Sequence, residues 1–132
     1  MRLVYIAIGG ALGALARWKL SAAIAPTASF PLGILVVNLS GCLLLGFLFP
    51  YTLARELAPD LRLGIVTGFI GAYTTFSTWE DGTLTLFRHG ALGVGAAYLA
   101  ASFMGGLVCT VAGMAVARRI LASRTGRPRA GD

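Results

Sequence analysis

The segment "GFIGAYTTFSTWEDG", Gly68 to Gly82, decides how the fold of this chain is read. It sets Thr74, Thr75, Ser77 and Thr78 around Phe76, with Gly68 and Gly71 just before them. Four hydroxyls in five positions compete with a helix for its backbone partners. The residues leading into the segment are apolar enough to sit in a bilayer, so it reads as a helix interrupted where water is scarce. Irregular backbone at membrane depth is tolerated only where protein or a cavity covers it. The ends of a broken helix offer carbonyls, which suit cations, and N–H groups, which suit anions. The segment therefore predicts an ion-handling membrane protein.

The rest of the chain agrees. Of 132 residues, 57% are hydrophobic and only 12% charged, where a soluble domain carries about a quarter charged. The mean hydropathy is +0.80. This length holds one domain of about four spans of roughly 20 residues. We place the spans at about 3–25, 31–53, 61–87 and 90–119, within a transmembrane domain of residues 1–121. Pro26 closes the first span, and Pro31 suits the start of the second, where its missing N–H is not needed. The connector "ELAPDLR" is charged, contains Pro59 and reads as a loop. Residues 122–132 read as a basic, disordered tail. "MRLVYIAIGGALGALA" resembles a signal peptide, but three more apolar spans follow it, so it reads as a retained first helix.

The fold class is thus an all-α integral membrane protein of four helices with a broken third. Gly9 with Gly13, Gly64 with Gly68, and more loosely Ala101 with Gly105, stand at the spacing that lets membrane helices approach closely. If both termini share one side, that side carries Arg2, Arg55 and Arg62, and the other carries Arg17, Lys19 and Arg88. The core charges therefore balance and set no orientation by the positive-inside rule, as a protein inserting both ways round requires. The tail arginines would pull the termini towards the cytoplasm. A subunit this small reads as part of an oligomer.

The net charge of +6 is not a nucleic-acid surface, because no stretch combines basic residues with exposed aromatics. Cys42 and Cys109 lie inside apolar runs and read as buried packing residues. No cluster has zinc-site spacing, and no nucleophile lies beside a base, so an enzyme is not expected. Asn38, mid-span in "ILVVNLSGCLLLG", has two readings. It is interhelical glue, or a donor whose amide faces an anion. Tyr98, Ser102, Gly106 and Thr110 recur every four residues and form one helix stripe. Taken singly, such hydroxyls often bond their own helix; as a stripe facing another polar span, they could line a path. Phe76 has a positive ring edge that can face an anion. Glu80 and Asp81 fit a water-exposed bend, and His89 a solvated loop.

Three blocks, "GGALGALARW" (Gly9–Trp18), "FPLGILVVNLSG" (Phe30–Gly41) and "GFIGAYTTFSTW" (Gly68–Trp79), resemble in order and spacing the small bacterial fluoride channels of the Fluc (CrcB) family. The third block is the specific one. The resemblance implies an antiparallel, dual-topology homodimer in the cell membrane that passively exports fluoride and so lowers its toxicity. It implies a fluoride pathway of Asn38, Phe76, Ser77, Thr78, Trp79, Tyr98, Ser102 and Thr110, with Arg17 at a vestibule. It also implies a structural Na⁺ at the dimer interface, held by backbone carbonyls of Gly71 and Thr74. Trp79 stands where the family usually has a second Phe, and the acidic pair comes earlier than the family's acid. The rival is a small four-helix proton-coupled drug exporter. That chemistry wants a carboxylate deep in the first span, where this chain has none.

Overall fold

The computed structural model describes residues 1–24 and 30–125, and among these the regular structure is helical. Helix α1 is Arg2–Ala23, α2 is Leu32–Ala54 and α6 is Leu92–Thr125. These three are long and apolar enough to cross a membrane. Between α2 and α6 the chain runs through α3 (Pro59–Leu63), a π-helical stretch (Gly64–Ile70), α4 (Gly71–Tyr73) and α5 (Ser77–Arg88).

Glycine sets how closely these rods meet. A Cβ at Gly9 would run into the Gly64 carbonyl, and one at Gly13 into the Phe69 carbonyl. The two pairs singled out in the sequence thus pack α1 against the π-helical stretch. Helices α2 and α6 touch in the same way, with Gly46 against the Thr110 backbone and Gly113 against the Leu43 carbonyl. Gly105, the looser member, meets only the Leu39 side chain. Near one end of the α2–α6 pair, Leu35, Leu86 and Tyr98 form a small buried cluster, joined by Phe30, Leu39 and Trp79. Outward faces stay apolar, as with Ile8, Leu12 and Leu15 on α1 and Leu107, Val108 and Val111 on α6, which is a surface for lipid rather than water.

Two boundaries differ from the sequence reading. Pro59 opens α3 instead of lying in a loop, because proline is pre-shaped for a first helical position and Asp60 complements the first turn. Helix α6 continues to Thr125 rather than stopping near Arg119. The run "ARRILASR" holds no Gly or Pro and suits a helix. The Pro26 stop and residues 126–132 lie outside the described residues.

Candidate functional site

The site forms at the junction between α4 and α5. Helix α4 ends at Tyr73, Thr74 is extended (φ −78°, ψ 156°), and α5 begins at Ser77. One side chain from α2 holds this junction. Asn38 Oδ1 accepts from the Thr75 N–H at 2.9 Å, and Asn38 Nδ2 donates to the Thr75 carbonyl at 3.0 Å. In a continuous α-helix the Thr75 N–H would bond the carbonyl four residues back, that of Gly71. Asn38 takes that N–H and leaves the Gly71 carbonyl without its helical partner. Nearby, the Ser40 and Tyr73 hydroxyls meet at 2.7 Å and pin the end of α4 to α2.

Thr75 organises the start of α5. Its Oγ1 accepts from the Thr78 N–H at 3.3 Å and donates to Thr78 Oγ1 at 3.0 Å, with Ser77 Oγ 3.4 Å away. The Thr75 side chain thus ties the residue before the N-cap Phe76 to the first turn of α5. This tie commits the Thr75 proton and leaves the Thr78 proton free to donate elsewhere. The N-terminal end of α5 carries partial positive charge, which Glu80 in its first turn partly offsets.

Beside this junction lies a cleft of about 310 Å³, lined by Asn38, Gly41, Cys42, Leu45, Ile70, Thr74, Thr75, Phe76, Trp79, Ser102 and Phe103. Of the expected pathway residues, Asn38, Phe76, Trp79 and Ser102 line it together. Phe76 is 72% exposed, so its ring is not part of this subunit's core. Phe76, Trp79 and Phe103 form a chain of rings, with centroids 5.3 Å and then 5.6 Å apart. Asn38 keeps one amide hydrogen beyond its bond to Thr75, since the amide carries two. Among the described residues no acidic side chain lines the cleft, and Glu80 and Asp81 are exposed.

Other expected residues lie elsewhere. Ser77 and Thr78 join the cleft only through the Thr75 hydroxyl. Tyr98 is fully buried in the cluster, with the Phe30 ring edge-on at 5.4 Å. Ser102 donates to the Tyr98 carbonyl at 2.7 Å and Thr110 to the Gly106 carbonyl at 2.9 Å. Both hydroxyl protons are therefore spent on their own helix, and Ser102 must turn to serve a ligand. Thr110 is not among the cleft residues. Arg17 reaches the Thr74 carbonyl at 3.5 Å, the outer limit of a hydrogen bond. Gly71 is exposed, and a Cβ there would meet nothing within 4 Å.

Thr75 is the site residue that the sequence reading missed. The only signal for it in the sequence is its place in the hydroxyl cluster around Phe76. Cys42, expected as a packing residue, also lines the cleft, with its sulfur against Gly106.

The chain has relatives by sequence. The family described as "CrcB-like protein, Camphor Resistance (CrcB)" matches residues 4–114. The chain is 43% identical over 127 residues to the fluoride-specific ion channel FluC 1 of Moorella thermoacetica, covering 94% of this chain and 91% of that one. It is 42% identical over 125 residues to the fluoride-specific ion channel FluC of Acidobacterium capsulatum, covering 92% and 100%. The corresponding channel of Stutzerimonas stutzeri is 40% identical over 116 residues, covering 86% and 94%.

Proposed function

This chain belongs to the CrcB family, and from that premise we propose that it is a passive, fluoride-selective channel of the cell membrane that lets cytoplasmic fluoride out. It is a multi-pass membrane protein and not an enzyme. The observation that carries the reading is the cleft itself. The spare Asn38 amide hydrogen, the Phe76 and Trp79 rings and the junction before α5 meet in it, and no carboxylate of the described residues lines it.

Fluoride is small and strongly hydrated, so a path must replace its water with donors. The free Asn38 amide hydrogen, the Thr78 and Ser77 hydroxyls and the Phe76 ring edge are such donors. The positive end of α5 adds long-range attraction without needing a cation that would trap the ion. A negative cell interior drives an anion outward by about 2.3 kcal/mol per charge per 100 mV. A pore then suffices without coupled energy. The drug-exporter alternative is not favoured, since the cleft lacks the carboxylate that proton coupling needs.

The segments from Pro59 to Arg88 act together as one span, broken at Thr74–Phe76. A second, antiparallel copy completes the path. The exposed Phe76 and Phe103 rings, the bare face at Gly71 and the balanced core charge support this arrangement. Tyr98, Ser102 and Thr110 continue the track along α6, and Arg17 marks its vestibule. The carbonyls of Gly71 and Thr74 fit a hard cation, which prefers oxygen ligands. Gly71 has lost its helical partner to Asn38, and the Thr74 oxygen keeps a lone pair beyond its weak contact with Arg17. Na⁺ held there by both copies would tie the dimer together at its axis.

The test is efflux from liposomes loaded with fluoride, with a potassium shunt and neither ATP nor a proton gradient. Rapid loss read by a fluoride electrode is the expected result. Retained fluoride, with proton-driven movement of a cationic dye, would overturn the reading.

A further inference from the structure

Trp79 carries a group that a phenylalanine ring does not have, an indole N–H. The indole sits between Phe76, at 41° between ring planes, and Phe103, at 85°. Its Nε1 is closed off from solvent and has no hydrogen-bond partner among the described residues. Buried donors without partners are rare in native structures, and each calls for a physical reason. The reason here is local. Trp79 is also a wall of the cleft that holds Asn38, Phe76 and Ser102. Tyr98 Oη, the other buried side-chain atom left without a partner among the described residues, belongs to the apolar cluster against which Trp79 packs.

We infer that the Trp79 indole N–H is a direct hydrogen-bond donor to the anion in the cleft. It forms a binding station where a ring edge alone would give only a weak contact. The inference rests on the fluoride-channel reading. To reach a small ion the indole has only to turn its N–H out of the edge contact with Phe103. A charged acceptor makes the stronger kind of hydrogen bond, and an indole N–H can only donate. The station is therefore selective for anions. It holds the ion longer than an edge contact would, so release from it shapes the concentration dependence of the current.

The bland alternative is that the N–H points at the face of the Phe103 ring, a weak contact that the near-perpendicular rings allow. Indole N–H resonances of the full-length, ¹⁵N-labelled protein in lipid nanodiscs separate the two. The chain has two tryptophans, Trp18 and Trp79, and Trp18→Phe assigns the signals. Titration with sodium fluoride should move the Trp79 signal downfield and saturably, leaving Trp18 in place. Sodium chloride at equal ionic strength should do neither. In bilayers, Trp79→Phe should raise the half-saturating fluoride concentration by about tenfold, the scale of one net hydrogen bond. A Trp79 signal that ignores fluoride while the parent protein conducts would overturn the inference and leave the channel standing. That measurement needs no variant at Trp79, so it decides even where Trp79→Phe fails to fold. A parent protein that conducts no fluoride would overturn the channel reading itself.

Discussion

Asn38→Ala is the sharpest perturbation of this architecture. The change deletes both bonds that hold the backbone of Thr75, one of 2.9 Å and one of 3.0 Å. Thr75 is only 7% exposed. Each buried backbone group left unpaired costs about 1–3 kcal/mol, so the pair costs about 2–6 kcal/mol. Water entering the cleft can recover part of this, which places the expected loss in the lower half of that range. A second consequence is structural. The freed Thr75 N–H can return to the Gly71 carbonyl, extending α4 towards α5 and turning Phe76 away from the cleft. Fluoride efflux should then fall by at least tenfold, equivalent to about 1.4 kcal/mol on the barrier. Asn38→Asp keeps the acceptor for Thr75 but sets a like charge in the path, so it should harm efflux more than stability. The assay pairs liposome efflux with the unfolding midpoint of the same purified preparation. An Asn38→Ala protein with parental efflux and parental midpoint would refute the reasoning.

Other perturbations separate the remaining parts. Phe76→Ile should cut efflux at least tenfold with little change in the unfolding midpoint, because the ring is exposed and the change removes its positive edge. Equal efflux from the folded variant returns Phe76 to a packing role. Gly13→Leu should lose about 1–3 kcal/mol or more through overpacking against the Phe69 backbone, read as a lowered midpoint and aggregation on gel filtration. A cysteine placed at Ser123, with Cys42 and Cys109 replaced by alanine, should be labelled from both faces of the cell membrane. Labelling from one face alone would refute dual topology.

How much of this is legible in the sequence depends on the kind of signal. The rods α1, α2 and α6 announce themselves through unbroken apolar length, and the close approach of α1 to the π-helical stretch is written in paired glycines. The extended residue between α4 and α5, Thr74, belongs to the hydroxyl cluster of Thr74, Thr75, Ser77 and Thr78. What is not legible is pairing between elements. A mid-span asparagine looks the same whether it bridges helices or faces an ion, and only the fold shows it gripping Thr75 at both backbone atoms. Ser102 and Thr110 share a stripe by spacing, yet their protons are spent on their own helix and only Ser102 reaches the cleft. Periodicity reports which face a residue is on, not where its hydrogen points. The helix beyond Arg119 escapes a reading that weighs basic composition above the absence of a helix breaker. The π-helical stretch at Gly64–Ile70 has no pattern of its own, since it differs from an α-helix by a small local widening.

The central claim is that this chain forms a passive path for fluoride, and the reversal potential of its current tests that claim most directly. Purified protein in a planar bilayer should carry a current under a tenfold fluoride gradient with symmetrical sodium and pH. The current should reverse at about 59 mV, the value for a singly charged ion moving alone, and should not shift when a chloride gradient is imposed. Reversal at zero, or at a potential that follows the proton or chloride gradient, would contradict the account.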